Sequence, residues 1–162
     1  MKFMLICINL WLTLLFTFYS LGNAVSWRTF RGSITRTGLQ NEQSVPPLAY
    51  KWTFDTRANI ISSPVFKDEV VYFGDRNGFI RAINANTGTE LWNYSTNNWV
   101  DATPAIANNY VYVLSRDGYL YCFKARYAED EDIKPRWVQV LSGANFSSPI
   151  AVSSYVYCAG GY

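Results

Sequence analysis

A repeat constrains this chain more than any other feature. Ser62-Ser63-Pro64-Val65, Ala102-Thr103-Pro104-Ala105 and Ser147-Ser148-Pro149-Ile150 place three prolines 40 and then 45 residues apart, and Trp52, Trp92 and Trp137 keep the same two spacings. Between these markers run Val70-Val71-Tyr72-Phe73, Tyr110-Val111-Tyr112-Val113 and Tyr155-Val156-Tyr157-Cys158. Three marker types in one register mean one supersecondary unit used repeatedly, and a unit of this size cannot bury its apolar faces alone. Each unit reads as four short strands, in the first about 61–66, 69–74, 78–84 and 89–95. Asn77-Gly78 and Asp117-Gly118 supply the turns from second to third strand. The expected fold is all-β, a β-propeller of four-stranded blades at about 51–95 and 96–141 with a partial third at 142–162. Trp52, Trp92 and Trp137 are expected as plates between blades, where a sheet face needs a large planar residue.

Composition removes several functions. Aromatic residues make up 17% and charged residues only 16% of the 162, so the chain carries enough apolar surface to fold. The net charge of +2 offers no basic field for nucleic acid. There is no histidine, which excludes Ser-His-Asp and Cys-His catalysis and His-ligated zinc.

The amino terminus has the layout of an export leader. Lys2 precedes an apolar run from Phe3 to Tyr19 and then Ser20-Leu21-Gly22-Asn23-Ala24, which places a cleavable signal at 1–24 and a lead-in segment at 25–50. An uncleaved membrane anchor is the alternative, since the run approaches the length that spans a bilayer. No cysteine stands at the small-residue site for lipid attachment. The mature protein is expected outside the cytoplasm, periplasmic or secreted, without stable membrane insertion.

Cys122 and Cys158 remain after cleavage, and they read either as small buried hydrophobes or as a disulfide pair. Asn93-Tyr94-Ser95 and Asn145-Phe146-Ser147 fit the glycosylation sequon, which matters only in a eukaryotic host. Five extra residues in the second unit fall around Ala128-Glu129-Asp130-Glu131-Asp132, read as a solvated surface loop rather than a cation site.

Ala82-Ile83-Asn84-Ala85-Asn86-Thr87-Gly88-Thr89-Glu90-Leu91-Trp92 resembles the tryptophan-docking motif of pyrroloquinoline-quinone (PQQ) type propeller repeats, Ala-x-Asp/Asn-x-x-Thr-Gly-x-x-x-Trp. The motif residues are Ala82, Asn84, Thr87, Gly88 and Trp92, and their expected role is structural: Asn84 and Thr87 bond the turn backbone and Gly88 permits positive φ. The second unit keeps Ala125 and Trp137 but has no Thr-Gly. Trp27-Arg28-Thr29-Phe30-Arg31-Gly32 with Thr37-Gly38 is similar to the segment that precedes the first blade in secreted members of this superfamily.

The resemblance implies two function classes. One is a non-catalytic exported binding or scaffolding propeller, as in the outer-membrane assembly lipoprotein family, with protein partners and no cofactor. The other is the amino-terminal part of a dehydrogenase that uses PQQ and calcium. The vicinal cysteines of some family dehydrogenases are absent, no calcium ligand set aligns, and Asp75, Asp101 and Asp117 read as turn or strand-start residues, so no catalytic residue is assigned. A closed ring needs about six to eight blades. The chain is therefore expected to be the amino-terminal part of a longer protein or to complete its ring with further copies.

Overall fold

The computed structural model describes residues 26–31, 35, 50–126, 132–141, 143 and 147–160. The leader at 1–24, the acids at 129–131 and Asn145 lie outside the described residues. Among the described residues three antiparallel sheets follow one another along the chain. The first is the meander β1 (Val65–Lys67), β2 (Val70–Gly74), β3 (Phe79–Asn84) and β4 (Glu90–Ser95). The second repeats it with β5 (Ala105–Ala107), β6 (Tyr110–Leu114), β7 (Tyr119–Lys124) and β8 (Trp137–Val140). The third holds β9 (Ile150–Val152) and β10 (Tyr155–Tyr157).

The register repeats with the sequence. Tyr72 faces Val65 on one side and Ala82 on the other, and Tyr112 faces Ala105 and Cys122 in the same way. The β1–β2 connection is a tight two-residue turn in which Asp68 and Glu69 take φ of 50° and 65°, matched by Asn108 and Asn109 at 49° and 62°. Paired positive φ is the geometry whose twist suits a hairpin, and Asn and Asp tolerate it best.

The first strand is shorter than the sequence pattern suggests, starting at Val65 rather than 61. Ser62 takes its place in the ladder through its side chain: its hydroxyl donates to the Gly74 carbonyl at 2.8 Å and accepts the Gly74 amide at 2.9 Å. Pro64, without an N–H, cannot extend the strand backwards. Ser147 repeats the arrangement on Ala159 at 2.9 and 3.3 Å.

Alternate side chains of each strand face opposite ways, so each sheet has two apolar faces. Val70, Tyr72, Ile80, Ala82 and Trp92 of the first sheet pack on Val111, Val113, Tyr121 and Phe123 of the second. Leu114 and Leu120, on the second sheet's other face, pack with Val156 and Cys158 of the third repeat. A hydroxyl relay ties the repeats: the Ser63 amide donates to Thr103 Oγ1 at 3.0 Å, and the Thr103 amide to Ser148 Oγ at 3.1 Å. The residue before each repeated proline is thus a joint between sheets.

Candidate functional site

The motif that the sequence singles out forms the turn between β3 and β4. Asn84 Oδ1 accepts the amides of Asn86 and Thr87 at 2.8 and 3.2 Å, and the Gly88 amide closes the turn on the Asn84 carbonyl at 2.8 Å. Thr87 Oγ1 lies 2.7 Å from Thr89 Oγ1. Gly88 has φ of +76°, and a Cβ there would stand 2.8 Å from the Trp52 ring. The Trp52 indole donates to the Ala85 carbonyl at 2.9 Å, so this half-buried ring is docked on the turn of the first sheet.

The three tryptophans occupy different places. Trp92, 6% exposed, lies between the first two sheets, with its ring 5.5 Å from Phe123 and 6.0 Å from Tyr72. Trp137, 41% exposed, packs on Tyr112 of its own sheet at 5.9 Å. Among the described residues, therefore, only Trp92 is a plate between two sheets. Ala82, cross-strand from Trp92, is fully buried.

The chemistry-bearing cluster lies where the β2–β3 turn, the β6–β7 turn and the connection from β4 to β5 meet. Arg76 and Arg116, 40 residues apart at equivalent turn positions, converge on one carboxylate. Arg76 reaches Asp101 through Nε at 3.1 Å and NH2 at 3.3 Å, and Arg116 NH2 reaches it at 2.6 Å. Trp99, 42% exposed, carries both guanidinium carbons within cation-π range, at 4.6 and 5.0 Å from its ring centroid. The Arg116 amide donates to the Trp99 carbonyl at 2.9 Å, which locks the loop to the turn. Asp101 is nearly buried, so two cations are held against one desolvated anion, and the cluster carries a net charge of +1 beside an exposed indole. Aromatic and arginine side chains on a rigid, partly desolvated platform are the composition of protein-binding hot spots.

The sequence pattern did not single out this cluster. Asp101 read as a strand-start residue, and Trp99 belongs to no repeated marker; the signal available was the recurrence of Arg76 as Arg116. Asp75 and Asp117 are turn residues with additional partners. Asp75, fully buried, accepts the amides of Asn77 and Phe79 at 2.9 and 3.1 Å and binds Arg81 Nε at 2.7 Å. Burial opposes the Arg81 charge, but hydrogen bonds to Asp75 and Glu90 outweigh it and hold the guanidinium pKa above its ordinary value. Asp117 accepts the Tyr121 hydroxyl at 2.8 Å, and burial followed by this bond pushes the phenol pKa up.

Among the described residues no three Asp, Glu, Cys or His converge, and Asp75, Asp101 and Asp117 are each committed to protein partners, so the described residues do not supply the oxygen cage calcium takes. Cys122 and Cys158 are free thiols; burial pushes Cys122 up to about 11 and raises Cys158 as well, which makes both poor nucleophiles.

A family model described as outer membrane protein assembly factor BamB matches residues 49–161. The BamB of Escherichia coli (strain K12) is 33% identical over 92 residues, covering 54% of this chain and 24% of that protein. Its Salmonella typhimurium counterpart is 31% identical over 97 residues. The chain thus spans about a quarter of the length of these relatives. Among solved structures, the quinohemoprotein alcohol dehydrogenase of Comamonas testosteroni superposes with a TM-score of 0.73 at 19% identity, over 86% of this chain and 24% of that one. The BamB of Moraxella catarrhalis gives 0.54 at 20% identity, over 67% and 36%. At these identities the superpositions show the fold, that of β-propeller repeats.

Proposed function

The chain belongs to the family described as outer membrane protein assembly factor BamB, and from that premise we propose that it is an exported, non-catalytic propeller module that binds protein partners. The observation that carries this reading is the Arg76–Trp99–Arg116 platform clamped by Asp101. Its side chains come from three separate loops of a rigid two-sheet frame, and their chemistry suits recognition rather than bond making. The relatives' name, outer membrane protein assembly factor, supports a partner in that machinery and a periplasmic location. No cofactor enters this reading.

The test is binding of the purified full chain to its host's outer-membrane protein assembly machinery, with Trp99→Ala and Arg76→Gln compared with the parent. Trp99→Ala is expected to weaken binding by about 30-fold or more, as a hot-spot residue does. Unchanged binding in both variants would move the interface elsewhere. Stoichiometric, calcium-dependent binding of PQQ would instead support the other reading, the amino-terminal part of a quinoprotein dehydrogenase.

A further inference from the structure

The lead-in segment crosses the inner edges of the first two sheets. Trp27 exchanges both backbone hydrogen bonds with Phe66 of β1, at 2.7 and 2.6 Å, and the Arg28 carbonyl accepts the Ile106 amide of β5 at 2.7 Å. Between this segment, β5 and β9 lies a cavity of about 410 Å³, within the size range of small-ligand pockets. Ser26, Arg28, Thr29, Asn108 and Ser153 form its polar lining, and short aliphatic side chains of β5 and β9 form the rest.

Two observations bear on what the cavity holds. Thr29 is only 4% exposed, yet its hydroxyl has no hydrogen-bond partner among the described residues. A buried hydroxyl without a partner destabilises the folded protein, and valine would fill the same space without that cost. Arg28 supplies the second observation: among the described residues its side chain makes one bond, from Nε to Ser26 Oγ at 2.9 Å, and no carboxylate lines the cavity. Arg28 is exposed, and a guanidinium has five donors in a planar fork, so those not on Ser26 face solvent at the cavity mouth and are open to a ligand.

We infer that this cavity binds a small carboxylate. The arginine fork matches the two carboxylate oxygens, the Thr29 hydroxyl finds its missing acceptor, and the hydrocarbon end of the ligand lies on the aliphatic strand residues. Phosphate fits less well, because its second charge has no second cation in the lining and half of the wall is apolar. The site is separate from the Arg76–Trp99–Arg116 platform and does not depend on its role.

Titration of the full chain with benzoate and, separately, with inorganic phosphate tests the assignment, read by calorimetry and by thermal melting. Benzoate should bind saturably, and Arg28→Gln should weaken it about 10-fold or more, the size of a charged hydrogen-bond pair. Thr29→Val should raise the melting temperature without benzoate while weakening benzoate binding, and Thr29→Ser should retain binding. The proposal is overturned by absence of saturable benzoate binding to the folded parent, by binding that Arg28→Gln leaves intact, or by phosphate binding as tightly as benzoate. A lower melting temperature for ligand-free Thr29→Val would remove the orphaned-hydroxyl argument and the proposal with it.

Discussion

The first and second sheets share a backbone and differ in what fills it. In the first, the buried Asp75 is neutralised by Arg81, whose other nitrogen reaches Glu90 at 2.7 Å. Forty residues on, Ser115 stands for Asp75 and Tyr121 for Arg81, and the Tyr121 hydroxyl bonds Asp117, the counterpart of Asn77. The carboxylate has moved by two positions and its partner has become neutral. At the inner end, Ser62 of the first repeat bonds Gly74, whereas Ala102 of the second only packs against Leu114. At the docking turn, the Trp52 indole takes the Ala85 carbonyl, whereas the Tyr72 hydroxyl takes that of Ala125. The two sheets thus reach the same register by different polar solutions. Turn geometry and strand pairing are common to both sheets, and two different sets of side chains satisfy the buried polar groups within that frame.

Trp92→Ala should cost about 3–5 kcal/mol in urea unfolding, since the ring fills the seam between both sheets; a loss below about 1 kcal/mol would contradict the seam. Asp75→Ala leaves Arg81 buried beside an incomplete network and should cost about 3–5 kcal/mol. The triple change Asp75→Ser, Asn77→Asp and Arg81→Tyr imports the second sheet's solution and should recover at least half of that loss; no recovery would mean the two fillings are not interchangeable.

Gly88→Ala meets both a positive φ and the Trp52 ring, and should cost about 1–3 kcal/mol. Tyr121→Phe removes one bond to a charged acceptor that keeps the Asn97 amide, so about 1–2 kcal/mol is expected, well below the Asp75 effect. Equal losses at the two sites would erase the contrast between charged and neutral fillings.

The smallest effect is a pH slope. Burial raises Cys122 to about 11 from an ordinary 9.0, so the native state holds this proton more tightly than the unfolded chain. Its contribution is complete below pH 9 and is lost as pH rises towards about 11. Stability of the parent should therefore fall more steeply across that interval than stability of Cys122→Ala; parallel curves would place the thiol in contact with water.

Much of the frame was legible in the sequence because it rests on local rules. Asn77-Gly78 and Asp117-Gly118 need φ of +84° and +90° at glycine, and the Asn84–Gly88 turn closes on its own side chain within five residues. The first strand starts later than the residue pattern suggests because the Ser62 hydroxyl imitates a backbone pairing, which no propensity reveals. The tryptophans share a spacing and not an environment, since burial of Trp92 or exposure of Trp137 depends on what lies across the seam.

Sequence periodicity by itself determined the repeat, its strand order and its turns, because each is set by residues within about 40 positions of one another. Tertiary structure alone decided the platform and the cavity. Arg76, Trp99, Asp101 and Arg116 meet only when two sheets are stacked, and Arg28 and Thr29 meet β5 and β9 only when the lead-in segment lies across their inner edges. Contacts of that kind leave no local pattern, because nothing in the chain between the partners has to encode them.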